Sequence, residues 1–481
     1  MLIVLGVALA ADCVEDLEGA EARLRARKPL AATLMGHELL RDGVCPDQEG
    51  RARLLMGRGL LDLDLPHSAQ GYFLDVVLDP PSERSFEVAL IRLVQIADTL
   101  GDDTELMRLV NRIPEDRWPE PVRDRLHYVA GVRAWQLGDV TLARQHFGQV
   151  DPASAVGSQA HYSEAVALLQ QGRIKSAAME LLVVGRRGEH DDWAALGMGR
   201  VYYGIDRFDL ASEWYEQVPV DSEVFAEARF ENAWTQFMLN DPNRALGELL
   251  TLKAPQFADT LYQPEAALLE AITWYSLCDW MASRGALDRM DRQVRPVHDE
   301  LSTYVRGFAD EEGRRHAGQA YRDWFLEERS GALGKEVFVR LLQDRALLGS
   351  LDHLEAMSAE RELILDQKAV WRESLGVELL RELDRDQERF ERRAGLNLLR
   401  CMAELDALLR DLLVQADIVR YELLRAEREG LEDLAAGGVE PLIRADVAYA
   451  VEPELIHWPF NGEFWTDELG GYAYAEQGQC R

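Results

Sequence analysis

The sequence predicts an all-α fold: a solenoid of about eight stacked helical hairpins, then a long helical hairpin of coiled-coil character, then an aromatic-rich tail. Three observations predict it. Ala143, Ala177, Ala211 and Ala245 recur at steps of 34 residues. Twelve positions before each stands a small residue (Gly131, Ala165, Gly199, Ala233), and four after each stands a large one (Phe147, Leu181, Tyr215, Leu249). Far downstream, Met402, Leu405, Leu409, Leu412, Ala416, Val419, Leu423 and Ala426 alternate steps of three and four, the spacing of a coiled-coil seam.

Taken in chain order, residues 1–10, "MLIVLGVALA", are apolar throughout, with Ala8 and Ala10 as the small residues a signal peptidase prefers. They predict an export signal cleaved near Ala11; no Lys or Arg precedes the run, and an ordinary apolar first helix is the competing reading. Residues 11–296 carry the repeat. Ala32 pairs with Ala20, and Ala69 with Gly57 and Phe73, on the same ruler at a longer step. A degenerate unit follows around Val94, Leu106 and Val110, and Ala271, Ser283 and Leu287 make the last. Residues 297–436 read as helix without repeat: a loop at 328–334, then helical stretches over 335–368 and 371–435 predicted to pack as an antiparallel hairpin. "AAGGVEP" at 435–441 stops the helix and introduces the tail, 437–481.

Small residues at two fixed places let antiparallel helices approach closely, while the large one fills the next gap. A 34-residue unit with this pattern resembles the tetratricopeptide repeat (TPR), a helix–turn–helix module that stacks into a superhelix. In such a hairpin the start of the first helix lies beside the end of the second. That geometry makes Cys13 and Cys45 candidates for a disulfide, which would stabilise the first hairpin by about 3 kcal/mol and requires an oxidising compartment.

The net charge of −32 is spread along the chain, which disfavours nucleic acid and anionic membrane surfaces as partners. No stretch of 18 or more apolar residues is present to span a bilayer. Five cysteines (Cys13, Cys45, Cys278, Cys401, Cys480) show no zinc-type spacing, and neither a metal nor a cofactor is expected. No phosphate-binding GxxxxGK[ST] occurs, and "GMGRVYYG" at 197–204 sits inside a repeat helix with Gly199 as its packing residue. "HDD" at 190–192 reads as a solvated turn, and His457, Glu463, Asp467 and Glu468 lack a nucleophile beside them. No catalytic residue is nominated.

What the TPR resemblance implies is recognition. The first helix of each unit lines a concave groove through four positions. Here these are Arg125, Tyr128, Val132 and Trp135, then Gln159, Tyr162, Val166 and Leu169, then Trp193, Leu196, Arg200 and Tyr203, then Glu227, Phe230, Trp234 and Phe237. Eight of the sixteen are aromatic, which suits an extended apolar or amphipathic peptide. Arg125, Tyr128, Trp135, Tyr162, Trp193, Arg200, Tyr203, Phe230, Trp234 and Phe237 are the binding candidates. Some of these rings are expected in the inter-repeat core instead.

"SLCDW", "QADIVRYELL" and "WPFNGEFWTDELGGY" together resemble features of large TPR-containing cell-envelope proteins of bacteria, including proteins associated with gliding motility. The resemblance implies a non-enzymatic scaffold, periplasmic or outer-membrane associated, that binds protein partners. A cytoplasmic TPR adaptor is the first alternative, and an enzyme using the tail carboxylates the second. Trp458, Phe460, Phe464, Trp465, Tyr472 and Tyr474 are too many rings to lie free in water. The tail is therefore expected to strap onto the protein's own surface, with Cys480 fastening it to Cys401 or Cys278.

Overall fold

A computed structural model describes residues 2–41, 46–185, 191–257, 261–326, 334–342, 344–435, 460–476 and 478, and among these it is helical with no strand. Among the described residues, helices α1 to α16 follow one another as eight pairs. The first four pairs are α1 (Leu2–Arg25) with α2 (Pro29–Arg41), α3 (Glu49–Leu61) with α4 (Pro66–Leu78), α5 (Glu83–Leu100) with α6 (Thr104–Leu109), and α7 (Arg123–Gln136) with α8 (Val140–Phe147). The second four are α9 (Gly157–Gln170) with α10 (Ile174–Gly185), α11 (Asp191–Tyr203) with α12 (Phe208–Tyr215), α13 (Phe225–Met238) with α14 (Pro242–Thr251), and α15 (Glu265–Ser276) with α16 (Trp280–Gly307).

Each turn within a pair holds one left-handed residue: Arg27, Asp64, Gly101, Gly138, Gly172, Asp206, Asn240 and Cys278. They are a second ruler, stepping by 37 residues up to Gly138 and then by 34 up to Asn240. The packing rule is equally direct. A Cβ placed on Gly131 would meet the Phe147 ring at 2.5 Å, and one on Gly199 would meet Tyr215 at 2.4 Å. The small partner thus exists to seat the large one. The third pair departs as its sequence does: α6 has six residues, and two 3-10 turns, Glu115–Arg117 and Glu120–Val122, carry the chain to α7.

Beyond the pairs come α17 (Glu311–Arg315), α18 (Ala317–Tyr321), α19 (Gly334–Leu342), α20 (Arg345–Leu365), α21 (Ala369–Trp371) and α22 (Val377–Ala435). Two compact units result. One comprises residues 1–160, 317–322 and 345–396; the other comprises 161–316, 323–344 and 397–481. The C-terminal helical region is therefore shared between them, with the division falling inside α22.

In the first unit, α20 and the first half of α22 form an antiparallel hairpin, with Arg361 against Asp384 and His353 stacked on Phe390 at 4.1 Å. Ile364, Trp371, Leu375 and Leu379 join the core that runs from Met56 to Ala130. The Trp371 indole donates to Thr33 Oγ1 of α2 at 2.9 Å. Glu360, 2% exposed, accepts the backbone N–H groups of His67 and Ser68, both at 2.8 Å. Leu65 cannot cap α4 with its own side chain, so a carboxylate from α20 satisfies those orphan donors.

In the second unit the seam half of α22 runs antiparallel along α16. Glu427 pairs with Arg284, Arg420 bonds the Leu287 carbonyl, and Asp406 lies 3.7 Å from His298. Met402, Leu405, Leu409, Leu412, Ala416 and Leu423 are all buried. The sequence expected the stretch at 335–368 to cover this seam. Asp344 of that stretch does reach Cys401 at the start of the seam, but farther along the contacts lead to the elongated last repeat helix, because α16 continues well past the repeat length and offers its own apolar face. No described helix is long and apolar enough to cross a membrane.

Candidate functional site

The binding candidates lie on the first helices of four successive pairs. In the first unit, Tyr128 and Trp135 pack half-buried around Phe147 and Val150. Arg125 is committed: Nε donates to Asp98 at 2.8 Å, and Nη1 and Nη2 donate to Asp103 at 3.1 and 2.6 Å.

In the second unit Tyr162 meets Trp193 edge-on, with ring centroids 5.9 Å apart, and the Trp193 indole donates to Glu223 at 3.0 Å. Arg200 binds Glu231 through Nε and Nη2 at 2.9 and 2.6 Å and Glu227 through Nη2 at 2.5 Å. Burial alone would lower the Arg200 pKa; the hydrogen bonds and charges of the two glutamates outweigh it and raise it. Tyr215 donates its hydroxyl to the same Glu231 at 2.9 Å. Tyr203 and Phe208 stand edge-on at 5.2 Å, Trp234 and Phe237 at 6.1 Å. Phe230 is 8% exposed and belongs to the core with Leu249 and Leu269. It is a packing residue, since it points into the next pair.

Both arginines are thus neutralised from within. In each unit these helix faces offer half-buried rings beside arginines already paired to carboxylates. Sequence reasoning passed over Glu231, which organises the face in the second unit; its one signal was a second acid four residues after Glu227.

A second surface, on the second-helix side of the same unit, is occupied by the tail. Residues 460–476 lie over α14. Leu469 enters the core among Tyr215, Val218, Phe225 and Ala254. Tyr472 approaches α14 so closely that a Cβ on Gly247 would lie 1.7 Å from its carbonyl oxygen. Asn243 grips the Glu476 backbone at both ends of its amide, accepting N–H at 2.9 Å and donating to C=O at 3.0 Å. Its own carbonyl accepts Tyr474 N–H at 3.0 Å, and Thr251 Oγ1 accepts Gly470 N–H at 3.1 Å. Tyr474 stands edge-on to Trp274 at 5.6 Å.

Not every tail ring is buried, as the sequence had suggested. Phe464, Tyr472 and Tyr474 are half-buried, but Phe460 is 43% and Trp465 58% exposed, because the turn at Thr466–Glu468 sends Leu469 inward in their place. Trp458 and His457 lie outside the described residues.

Beneath the strap, Glu248 lies 3.4 Å from Arg229 and accepts from Asn232 at 2.6 Å. Burial pushes its carboxyl up to about 7 against the pull of Arg229. Cys13 and Cys278 are each disulfide-bonded rather than free, while Cys45 and Cys480 lie outside the described residues. Cys401 is a free thiol donating to Asp344 at 3.2 Å, pushed up to about 12 by burial and by that carboxylate. Of the two anchors considered for Cys480, Cys401 is therefore not one.

The "HDD" segment is structural where described: Asp192 accepts from Trp193 N–H at 2.9 Å and Ser222 Oγ at 2.5 Å, and His190 lies outside the described residues. Glu463, Asp467 and Glu468 are exposed. The metal-type cluster that the structure does bring together is elsewhere, at Glu115, His127 and His146, and was not anticipated from sequence.

Comparison with known proteins gives no lead on this face or on the strap: no family model matches the chain, and no curated protein matches it significantly.

Proposed function

We propose that this chain is a non-enzymatic interaction scaffold of the TPR type, exported to the bacterial cell envelope, that binds protein or peptide partners along its first helices. The observation that carries the reading is the strap. Helix pairs of this chain hold an extended, aromatic-rich peptide, their own residues 460–476, by an asparagine clamp on its backbone and apolar seats for its side chains. The counterpart in the second unit is the half-buried ring face of Tyr162, Trp193, Tyr203, Trp234 and Phe237, with Arg200 already paired to acids; in the first unit Tyr128 and Trp135 hold the equivalent helix positions beside Arg125, likewise paired. Rings beside surplus carboxylate favour a partner segment that brings apolar and cationic side chains.

Disulfides Cys13–Cys45 and Cys278–Cys480 complete the proposal: the first closes the leading hairpin, the second fastens the strap. Both require an oxidising compartment. Trapping of thiols in natively purified protein should find Cys401 alone reactive after unfolding, and free Cys13 and Cys45 would refute export. The N-terminal sequence of the mature protein checks the same point, since a start near Ala11 requires cleavage and a retained Met1 moves the scaffold to the cytoplasm.

The decisive experiment replaces Trp135, Tyr203 and Trp234 together with alanine. Cross-linked partners identified with the wild-type chain should be lost from the variant while its circular dichroism stays helical. Undiminished capture would refute the assignment of the face.

A further inference from the structure

The segment joining the third and fourth helix pairs brings a carboxylate to two imidazoles. His127 on α7 is 6% exposed and His146 on α8 is half-buried, and their Nδ1 atoms face each other at 3.2 Å. Glu115, from the 3-10 turn Glu115–Arg117, offers a carboxylate oxygen, and the three ligand atoms all lie within 4.8 Å of one another. That carboxylate makes no hydrogen bond among the described residues. Trp118 walls the cluster, edge-on to His127 with centroids 4.9 Å apart, and is itself fixed by its indole N–H donating to the Ile113 carbonyl at 3.2 Å.

The repeat supplies an internal control. Thirty-four residues on, the same two positions hold His161 and Glu180, hydrogen-bonded at 2.7 Å; two further steps on they hold Arg229 and Glu248. There the inter-helix pair is complementary, a donor facing a carboxylate. At 127 and 146 two like imidazoles face each other, and the carboxylate comes from outside the pair. A neutral pair can share one proton between these nitrogens, but with both Nδ1 atoms unprotonated their lone pairs would face each other and a cation between them would satisfy both. Tetrahedral zinc, with bonds of about 2.0–2.1 Å to imidazole nitrogen, holds its ligand nitrogens about 3.3 Å apart, so the rings need almost no adjustment.

We propose that Glu115, His127 and His146 bind one divalent ion of the zinc class, with its remaining position open to water. The ion would tie the exposed Glu115–Arg117 turn of the crossover, whose Ile113, Trp118 and Val122 already sit in the core, to the α7/α8 pair. The chemistry is that of a borderline-soft cation with two nitrogen ligands and one oxygen ligand, not of calcium or magnesium.

The test is titration of chelator-treated full-length protein with Zn²⁺ by calorimetry, and with Co²⁺ by visible absorption. The expected result is one ion per chain, an intense tetrahedral cobalt spectrum, and affinity that falls as pH drops below the histidine range. His146→Gln should abolish binding. Glu115→Ala, an exposed change that leaves the fold intact, should weaken it at least about tenfold, judged by the usual effect of losing a metal-supporting group. Absence of saturable zinc binding overturns the proposal and leaves a hydrogen-bonded histidine pair. Binding unchanged in both variants overturns it equally, by placing the ion elsewhere.

Discussion

Second helices are covered in two ways, by helices in both units and by an extended strap at one place in the second. In the first unit, α2 and α4 are covered by the α20–α22 hairpin; in the second unit, α14 is covered by the strap. A helix arrives with its own backbone hydrogen bonds made, so the hairpin asks only for apolar side chains and a few polar keystones such as Glu360. A strap arrives with unpaired N–H and C=O groups, and its seat must supply partners for them. Asn243 and Thr251 do so, and Gly247 gives the backbone room to reach them. The hairpin is part of a core, whereas the strap is docked on a surface already built.

That contrast breaks most severely at Trp371. The residue is 2% exposed and bonded to Thr33 in the heart of the first unit. Trp371→Ala should cost about 4 kcal/mol, the usual loss for a buried large aromatic, and should leave Thr33 Oγ1 without its indole partner. Urea unfolding followed by hydrogen exchange should show protection lost across residues 29–41 and 345–396 together. A loss confined to 345–396 would show that the hairpin is merely docked, like the strap, and the comparison would fail.

The strap is tested by one methyl group. In Gly247→Ala the added Cβ cannot coexist with the Tyr472 carbonyl, so the strap must lift, while α14 gains up to about 1 kcal/mol of helix propensity. Lifting uncovers Leu469 and half-buried rings, a loss of roughly 2–3 kcal/mol, so the net cost in the full chain should be about 1–2 kcal/mol. In a chain ending at residue 459 the same substitution should stabilise. This reversal of sign, read by thermal melting, belongs to a docked strap alone. Destabilisation in both backgrounds would make Gly247 an ordinary core contact.

The legibility of these features in the sequence follows the same division. The helix pairs were readable because a single stripe decides them: every Ala on the 34-residue ruler is fully buried, the small residues twelve positions earlier are buried too, and Gly131 and Gly199 meet their large partners. The seam from Met402 to Leu423 was readable for the same reason, but its partner was not, since an apolar stripe states that it is covered without stating by what. Keystones such as Glu360 and Asn243 were invisible: a buried Glu and a solvated one look alike until a helix N-terminus 293 residues away is placed against it. The rings lie on the first helices of their pairs, but the pairing of Arg125 and Arg200 was not legible, because their acids, Asp98, Asp103 and Glu231, stand 27, 22 and 31 residues away in the sequence.

The smallest effect separates the units by the sign of their response to pH. In the first unit, burial and then His67 depress His353 to about 4 from its ordinary 6.5, against the pull of Asp102 and the Leu100 carbonyl; Arg393 adds to the depression. Its stabilising contribution is complete above pH 6.5 and is lost as pH falls toward 4, because the unfolded chain takes up the proton first. In the second unit, burial raises Glu248 from 4.5 to about 7; Arg229, Asn232 and Arg244 oppose the rise, and Glu216 adds to it. Its contribution is complete below about pH 4.5 and is lost as pH rises through 7, because the folded chain holds the proton longer. Between pH 5.5 and 7.5 each slope amounts to on the order of 1 kcal/mol, in opposite directions. Hydrogen exchange corrected for intrinsic rates should show residues 345–365 gaining protection, and residues 225–251 losing it, as pH is raised across that range. His353→Phe, which keeps the stack on Phe390, should flatten the first slope, and Glu248→Gln, which keeps the bond to Asn232, the second. If both segments respond with the same sign, or if the variants leave the slopes intact, global charge rather than these two buried groups governs the response, and the units do not differ in the way their buried groups imply.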